Sequence, residues 1–323
     1  MAFELDTGTA AEWAVSHGLV AGGAPIEVEE LAGGVSASVI AVRAPSAGTA
    51  VVLKQALARL RVTDDWRADQ GRTETEAEAM SLCGELTPGA VPRVLATDPA
   101  THVIAIELIE GCANWQAEVA AGRVHADLSA WAGGVLGTWH ARTSTRLDEL
   151  ARFAVSESFE EQRLRPFHET VMRRLPELAP LIAPRVRELR ETRRCLVHGD
   201  YAMKNILVGE AERRVLDFEV AHLGHPVFDL AFFLSFVTLS SIRWVELGSE
   251  LRSLASGFLD AYRGATATLP GIADEELTAH TACLILARTD GTSPAQFLDR
   301  RSRAEARTLG RELLLHPSRG LWG

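Results

Sequence analysis

Residues 196–230, LVHGDYAMKNILVGEAERRVLDFEVAHLGHPVFDL, hold polar side chains whose types and spacing suit phosphoryl transfer. His198, Gly199 and Asp200 are followed, five positions after the aspartate, by Asn205; Asp217 and Glu219 come twelve and fourteen positions beyond that. A hydroxyl attacking the terminal phosphate of ATP needs a carboxylate to orient it and accept its proton. The phosphates need hard oxygen ligands holding Mg²⁺. Asp200 suits the first task, Asn205 and Asp217 the second.

The flanking residues say how these groups are presented. Residues 195–197, 206–208 and 214–216 read as short apolar strands, so the polar residues fall in the loops between them, where rigid strands aim them. The bland alternative is that HGD and DFE are ordinary loop polars satisfied by backbone hydrogen bonds. Two motif spacings that coincide across a hairpin-sized gap argue against it.

Upstream, Gly33 and Gly34 sit between two β-type runs. Small residues there let backbone N–H groups approach phosphates, although the same pair also fits a plain hairpin turn. The apolar run from Ala50 to Leu53 ends in Lys54, which suits either a sheet edge or a phosphate ligand. RTETEAEAMSLCGEL reads as a Glu- and Ala-rich helix that offers Glu74, Glu76 and Glu78 as partners for that lysine.

With these residues in view, the chain resembles the aminoglycoside phosphotransferase and choline kinase group of the protein-kinase-like superfamily. There HGD-x-x-x-x-N serves as catalytic loop and D-F-[DE] as metal motif. The resemblance implies an α+β, two-lobed protein-kinase-like fold: an N-lobe of residues 1–110 built on a small antiparallel sheet, and a mainly helical C-lobe of residues 111–323. It implies Asp200 as catalytic base, Asn205 and Asp217 as metal ligands, and Asp229 as the aspartate that buttresses the catalytic loop. It also implies Lys54 on the phosphates, and aligning EAEAM with the E-A-x-A-L pattern selects Glu76 as its partner, leaving Glu74 and Glu78 as solvated charges. Backbone groups around Glu107 to Ile109 would meet adenine.

Two features are similar to methylthioribose kinases: the Asp217-x-Glu219 pair, which makes Glu219 a further magnesium ligand, and the KQALARLRVTDDW segment. Together they imply an ATP- and Mg²⁺-dependent phosphotransferase with an alcohol group as acceptor, on a sugar or sugar-like substrate. The alternative within the family is an aminoglycoside or other amino-containing antibiotic. A nucleotide-binding pseudokinase is disfavoured because every catalytic position holds a competent residue. A metal hydrolase using His198, His222 and His225 is a third reading, although two histidines three apart without a nearby cysteine make a weak zinc site.

Composition narrows the partners. At 323 residues the chain is long enough for two lobes, and its formal charge of −10 argues against nucleic acid or an anionic membrane. Small-molecule substrates and a monomer or homodimer are expected. Cys83, Cys112, Cys195 and Cys283 are widely spaced and read as reduced thiols of a cytoplasmic protein. The opening MAFELDTGTAAEW has neither a basic start nor an apolar run, so export is not expected.

Thr9 is a possible cap for a short helix over 9–19. His140 reads as a packing residue at the end of a helical stretch within 114–146. The Arg-, Glu- and Pro-rich segment 159–192 shows mixed helical spacing and no functional motif. Near the C-terminus Arg288, Asp290, Arg300 and Arg301 are polar candidates for the substrate side, with no motif to choose among them.

Overall fold

The computed structural model describes residues 3–23, 25–31, 36–61, 68–155 and 157–322. They form two compact units, one of residues 1–112 with 216–219, the other of residues 113–215 with 220–323. Gly33 and Gly34 lie outside the described residues, as do positions 62–66 of the KQALARLRVTDDW segment.

The first unit is a five-stranded antiparallel sheet with two helices. In chain order its elements are α1 (Ala10–Ser16), β1 (Glu27–Glu30), β2 (Ala37–Ala44), β3 (Thr49–Ala56), α2 (Arg72–Leu86), β4 (Val94–Asp98) and β5 (Val103–Glu107). The strand order is β1-β2-β3-β5-β4, which makes β3 the central strand. Lys54 on β3 stands opposite Val39 of β2 and Ile104 of β5. It is thus no edge lysine.

Alternation explains the core. Ile40, Val42, Leu53, Val103 and Ala105 face Trp13 and Leu5, and all of them are buried. The β2–β3 connection turns through a short 3₁₀ stretch, Pro45–Ala47, and Gly48 at φ 63°, a left-handed conformation that glycine adopts without strain. At α1 the expected Thr9 cap is replaced. The Asp6 carboxylate accepts from the Gly8 and Thr9 amides at 2.8 Å, and the Thr9 hydroxyl bonds the Glu4 carbonyl instead.

The second unit is mainly helical. It runs through β6 (Ala113–Asn114), α3 (Trp115–Ala120), α4 (Leu128–Ser144), α5 (Glu157–Phe159), a π-helical run Glu160–Glu169, α6 (Thr170–Arg174), α7 (Ala179–Glu191), β7 (Cys195–Val197), β8 (Ile206–Val208), β9 (Arg213–Val215), β10 (His222–Gly224), α8 (Val227–Arg243), α9 (Gly248–Ala265), α10 (Asp274–Asp290) and α11 (Arg300–Leu315). The third expected strand starts and ends one residue earlier than the apolar pattern indicates. β7 pairs antiparallel with β10, and β8 lies between β6 and β9.

Two packings fix this unit. From Val227 to Ser240 every residue of α8 is buried, with Phe228, Phe232, Phe233 and Phe236 turned into the aromatic core, as expected of a helix that is apolar on all sides. No helix among the described residues is long and apolar enough to cross a membrane. The α4–α9 crossing depends on Gly133: a Cβ there would lie 2.1 Å from the Phe258 carbonyl oxygen.

Candidate active site

In the first unit, Lys54 Nζ lies 2.8 Å from Glu76 and 2.6 Å from Asp217. The ammonium is held between one buried and one part-exposed carboxylate, and the rotation of α2 that turns Ala77 and Met80 inward also turns Glu76 toward β3. Glu78 is exposed, whereas Glu74 is paired with His102 at 3.0 Å and is not a solvated charge.

Glu219 has its own cation. The guanidinium of Arg72, at the first turn of α2, donates from Nε to the Glu219 carboxylate at 2.9 Å and also to the carbonyls of Asp69, Ser36 and Leu57. Both residues are buried. The set of Lys54, Arg72, Glu76, Asp217 and Glu219 has two cations for three carboxylates and carries a formal charge of −1.

That shortage shows in the titration behaviour. Burial pushes the Glu76 carboxyl up to about 7, and Asp217 and Glu219 add to the rise while Lys54 opposes it. Burial works against the charge on Lys54, but Asp217, Glu76 and Glu219 outweigh it and raise the ammonium above its ordinary value. An added divalent cation fits a cluster with surplus negative charge and hard oxygen donors. Asp217, about one quarter exposed and held at φ 72°, is the most accessible of the three carboxylates.

Glu107, at the end of β5, pairs with Val51 and accepts from the Arg93 amide at 3.2 Å. Ile109 follows it, half-buried.

In the second unit the loop after β7 places Asp200. Gly199 takes φ 78°, and a Cβ there would lie 2.8 Å from the Val220 carbonyl oxygen, so only glycine fits. Asp229, at the start of α8, accepts from the amides of His198 and Gly199 at 2.7 and 2.8 Å, one to each carboxylate oxygen. The resemblance assigned it the buttress of this loop, and the geometry is that of one. His198 Nδ1 in turn accepts from the Asp200 amide at 3.1 Å, and its ring stacks on Trp139.

The Asp200 carboxylate is ringed by donors. Arg163 reaches one oxygen at 3.0 Å; Lys204 and Asn205 bond the other, Asn205 at 2.6 Å. Arg163 also donates to the Gly199 carbonyl at 2.9 Å. Its guanidinium lies within 6 Å of the Phe167 and Phe232 rings.

The three histidines of the metal-hydrolase reading are engaged separately. His222 stacks on Phe159 and faces the Val220 carbonyl, and burial lowers its pKa to about 4. His225 gathers with Glu188 and Glu276, their ligand atoms within 4.8 Å of one another. Its Nδ1 accepts from the Val227 amide, which leaves the proton of the neutral ring on Nε2, facing the carboxylates. The ring thus turns an N–H toward them and presents no lone pair to a metal.

A model of the phosphotransferase enzyme family matches residues 27–270. The chain belongs to that family. It is 25% identical over 268 residues to the methylthioribose kinase of Bacillus velezensis, a match spanning 74% of this chain and 67% of the relative. It is 23% identical to that of Bacillus pumilus, over 77% and 75% of the two chains. Among solved structures, an amicoumacin kinase in complex with AMP-PNP, Ca²⁺ and Ami superposes with a TM-score of 0.59 at 14% identity, covering 97% of this chain and 94% of that one. Choline kinase from Cryptosporidium parvum gives 0.58 at 13%, covering 98% and 100%. These likenesses show the protein-kinase-like fold.

Several residues of this phosphotransferase carry the geometry without a sequence signal. Arg72 is one cation in a Glu-rich helix. Arg163 lies in the 159–192 segment that has no motif, and Lys204, four residues after Asp200, looks like an ordinary loop lysine. His140 is more than a packing residue: fully buried, it meets Asp229 at 3.1 Å and the Tyr262 hydroxyl at 2.9 Å. A signal existed there, since a histidine in an apolar helix must find partners for two ring nitrogens. Arg300 and Arg301 are exposed on α11.

Proposed function

We propose that this phosphotransferase transfers the γ-phosphoryl of MgATP to a hydroxyl of a sugar or sugar-like small molecule. The observation that carries the reading is the charge-deficient cluster of the first unit, in which Asp217 and Glu219 share two cations with Glu76. A DxE pair of this kind suits a divalent metal, and the methylthioribose kinase relatives support the sugar-like acceptor.

The roles follow from the chemistry. Lys54, fixed by Glu76, neutralises charge on the phosphates. Asp217, Glu219 and Asn205 are the oxygen donors for Mg²⁺, which when bound would offset the charge of the transferring group. Arg72 pairs with Glu219 and orients it. Asp200 orients the acceptor hydroxyl and takes its proton, and Asp229 holds the Asp200 loop in place. Transfer is direct and in line, with catalysis from positioning and charge stabilisation. The backbone of Glu107 to Ile109 meets the base.

The surroundings of Asp200 weigh on the acceptor. Arg163 and Lys204 beside one carboxylate leave that locality with a net positive charge, which favours a neutral polyol over a cationic aminoglycoside. The test is ATP consumption with Mg²⁺ against ribose-like sugars, methylthioribose, nucleosides, choline-like amino alcohols and aminoglycosides. Consumption confined to sugars, reduced at least ~10²-fold in a folded Asp200→Ala variant, is expected. A response to aminoglycosides alone would overturn the acceptor assignment, and unimpaired turnover in the variant would overturn the role of Asp200.

A further inference from the structure

We propose that a cavity in the helical unit binds a small amphipathic anion, an apolar chain ending in a carboxylate or phosphate head, and that its occupancy is felt at the loop carrying Asp200. The cavity measures about 620 Å³, within the usual range for small-molecule sites. It lies among the C-terminal end of α4, the start of β7, the starts of α8 and α10, the later turns of α9, and the 267–272 loop. None of its lining residues belongs to the group around Asp200.

Its lining has two characters. Leu147, Leu259, Leu269 and Ile272 remain half-buried around it, apolar surface that folding alone leaves in contact with water. The same lining carries Arg193, Arg194 and Arg263 in a chain whose net charge is −10. Arg263 is paired with Asp274 at 2.7 Å. Arg193 donates to the carbonyls of Arg190 and Thr192, and Arg194 to that of Pro270. Among the described residues no carboxylate lies within ion-pair distance of either, although Arg194 does feel the field of Glu276. Two guanidiniums bonded only to neutral acceptors, beside an apolar hollow, complement an oxyanion with a hydrocarbon tail.

Tyr262 joins the cavity to the catalytic loop. Its ring is part of the cavity wall, and its hydroxyl meets His140 Nδ1 at 2.9 Å. Burial raises the Tyr262 pKa, so the group stays a phenol that donates to Nδ1. With Nδ1 accepting, the ring's N–H lies on Nε2 and donates to Asp229, which holds the amides of His198 and Gly199. A ligand that shifts the Tyr262 ring changes the acceptor on which those two amides depend, one residue from Asp200. The cavity is therefore a regulatory site for the phosphotransferase.

The probe is decanoate, with decylamine as the control of opposite charge, measured by titration calorimetry and by hydrogen exchange of the catalytic-loop amides. Decanoate is expected to bind, decylamine is not, and Arg193→Glu/Arg194→Glu should weaken decanoate at least ~10-fold. Leu259→Trp, which fills the hollow from a half-exposed helix position, should do the same if the charge-reversed protein is unfolded. Decanoate should alter exchange at His198 and Gly199 at least ~5-fold. In Tyr262→Phe it should still bind but leave exchange unchanged. Equal binding of decylamine, or full decanoate binding by either cavity variant, overturns the site. Binding without a change in exchange overturns the coupling. Neither readout needs an acceptor, so both stand apart from the kinase reading.

Discussion

Replacing Asp229 with asparagine isolates the support of the catalytic loop. Asp229 is fully buried and takes three N–H groups: those of His198 and Gly199 at 2.7 and 2.8 Å, and His140 Nε2 at 3.1 Å. Burial pushes its carboxyl up, yet the His140 bond and the charges and amide around it outweigh that and hold the pKa below its ordinary value. Asparagine keeps the shape but offers one oxygen, so its amide nitrogen faces one backbone N–H donor to donor. One buried amide then loses its acceptor, which costs about 1–3 kcal/mol, and the remaining bonds fall from charge-assisted to neutral strength, roughly 1 kcal/mol more. The expected loss is about 2–4 kcal/mol from a stability typically about 5–15 kcal/mol. Urea unfolding should show a lower midpoint at unchanged slope, and exchange of the His198 and Gly199 amides should quicken. A loss below about 1 kcal/mol with exchange unchanged would refute the reasoning, because those amides would then have other acceptors.

Three further outcomes follow from the geometry. Arg72→Met leaves Glu219 buried without its cation and should cost about 3–5 kcal/mol in chemical denaturation; a double variant with Glu219→Gln should recover part of that. Gly133→Ala places a methyl against the Phe258 carbonyl and should destabilise by at least ~2 kcal/mol, read as a lowered Tm, whereas Gly134→Ala, with open space around its Cβ, should not. The hydrogen bond from His280 is the largest cause holding the Glu188 carboxyl down at about 2. Because the folded pKa is lowered, its stabilisation is complete above about pH 4.5 and is lost as pH falls toward 2. After solvent screening of this part-exposed pair it amounts to about 1 kcal/mol. Unfolding measured from pH 6 to pH 2 should slope less steeply in Glu188→Gln.

The sequence by itself determined the short strands beside Asp200 and Asp217 and offered the candidate residues between them. The strands beside Asp200 and Asp217 were legible because apolar alternation and loop polarity are local. Lys54 was legible as the polar end of an apolar strand, whereas Glu76 was chosen over Glu74 and Glu78 by the resemblance of EAEAM to the family pattern. The one-residue offset of β9 is the usual limit where a strand runs into a polar loop.

What tertiary structure decided is which charge meets which. Arg72 and Glu219 are 147 positions apart, His140 and Asp229 are 89 apart, and Arg163 bonds Gly199 across 36 from a segment with no motif. Nothing in local pattern distinguishes Arg163 from the other arginines of its segment, because all have the same charge and similar helical neighbours. Packing selects among them: a buried carboxylate must be paired, and only the cation that the folded helices bring within about 3 Å can pair it.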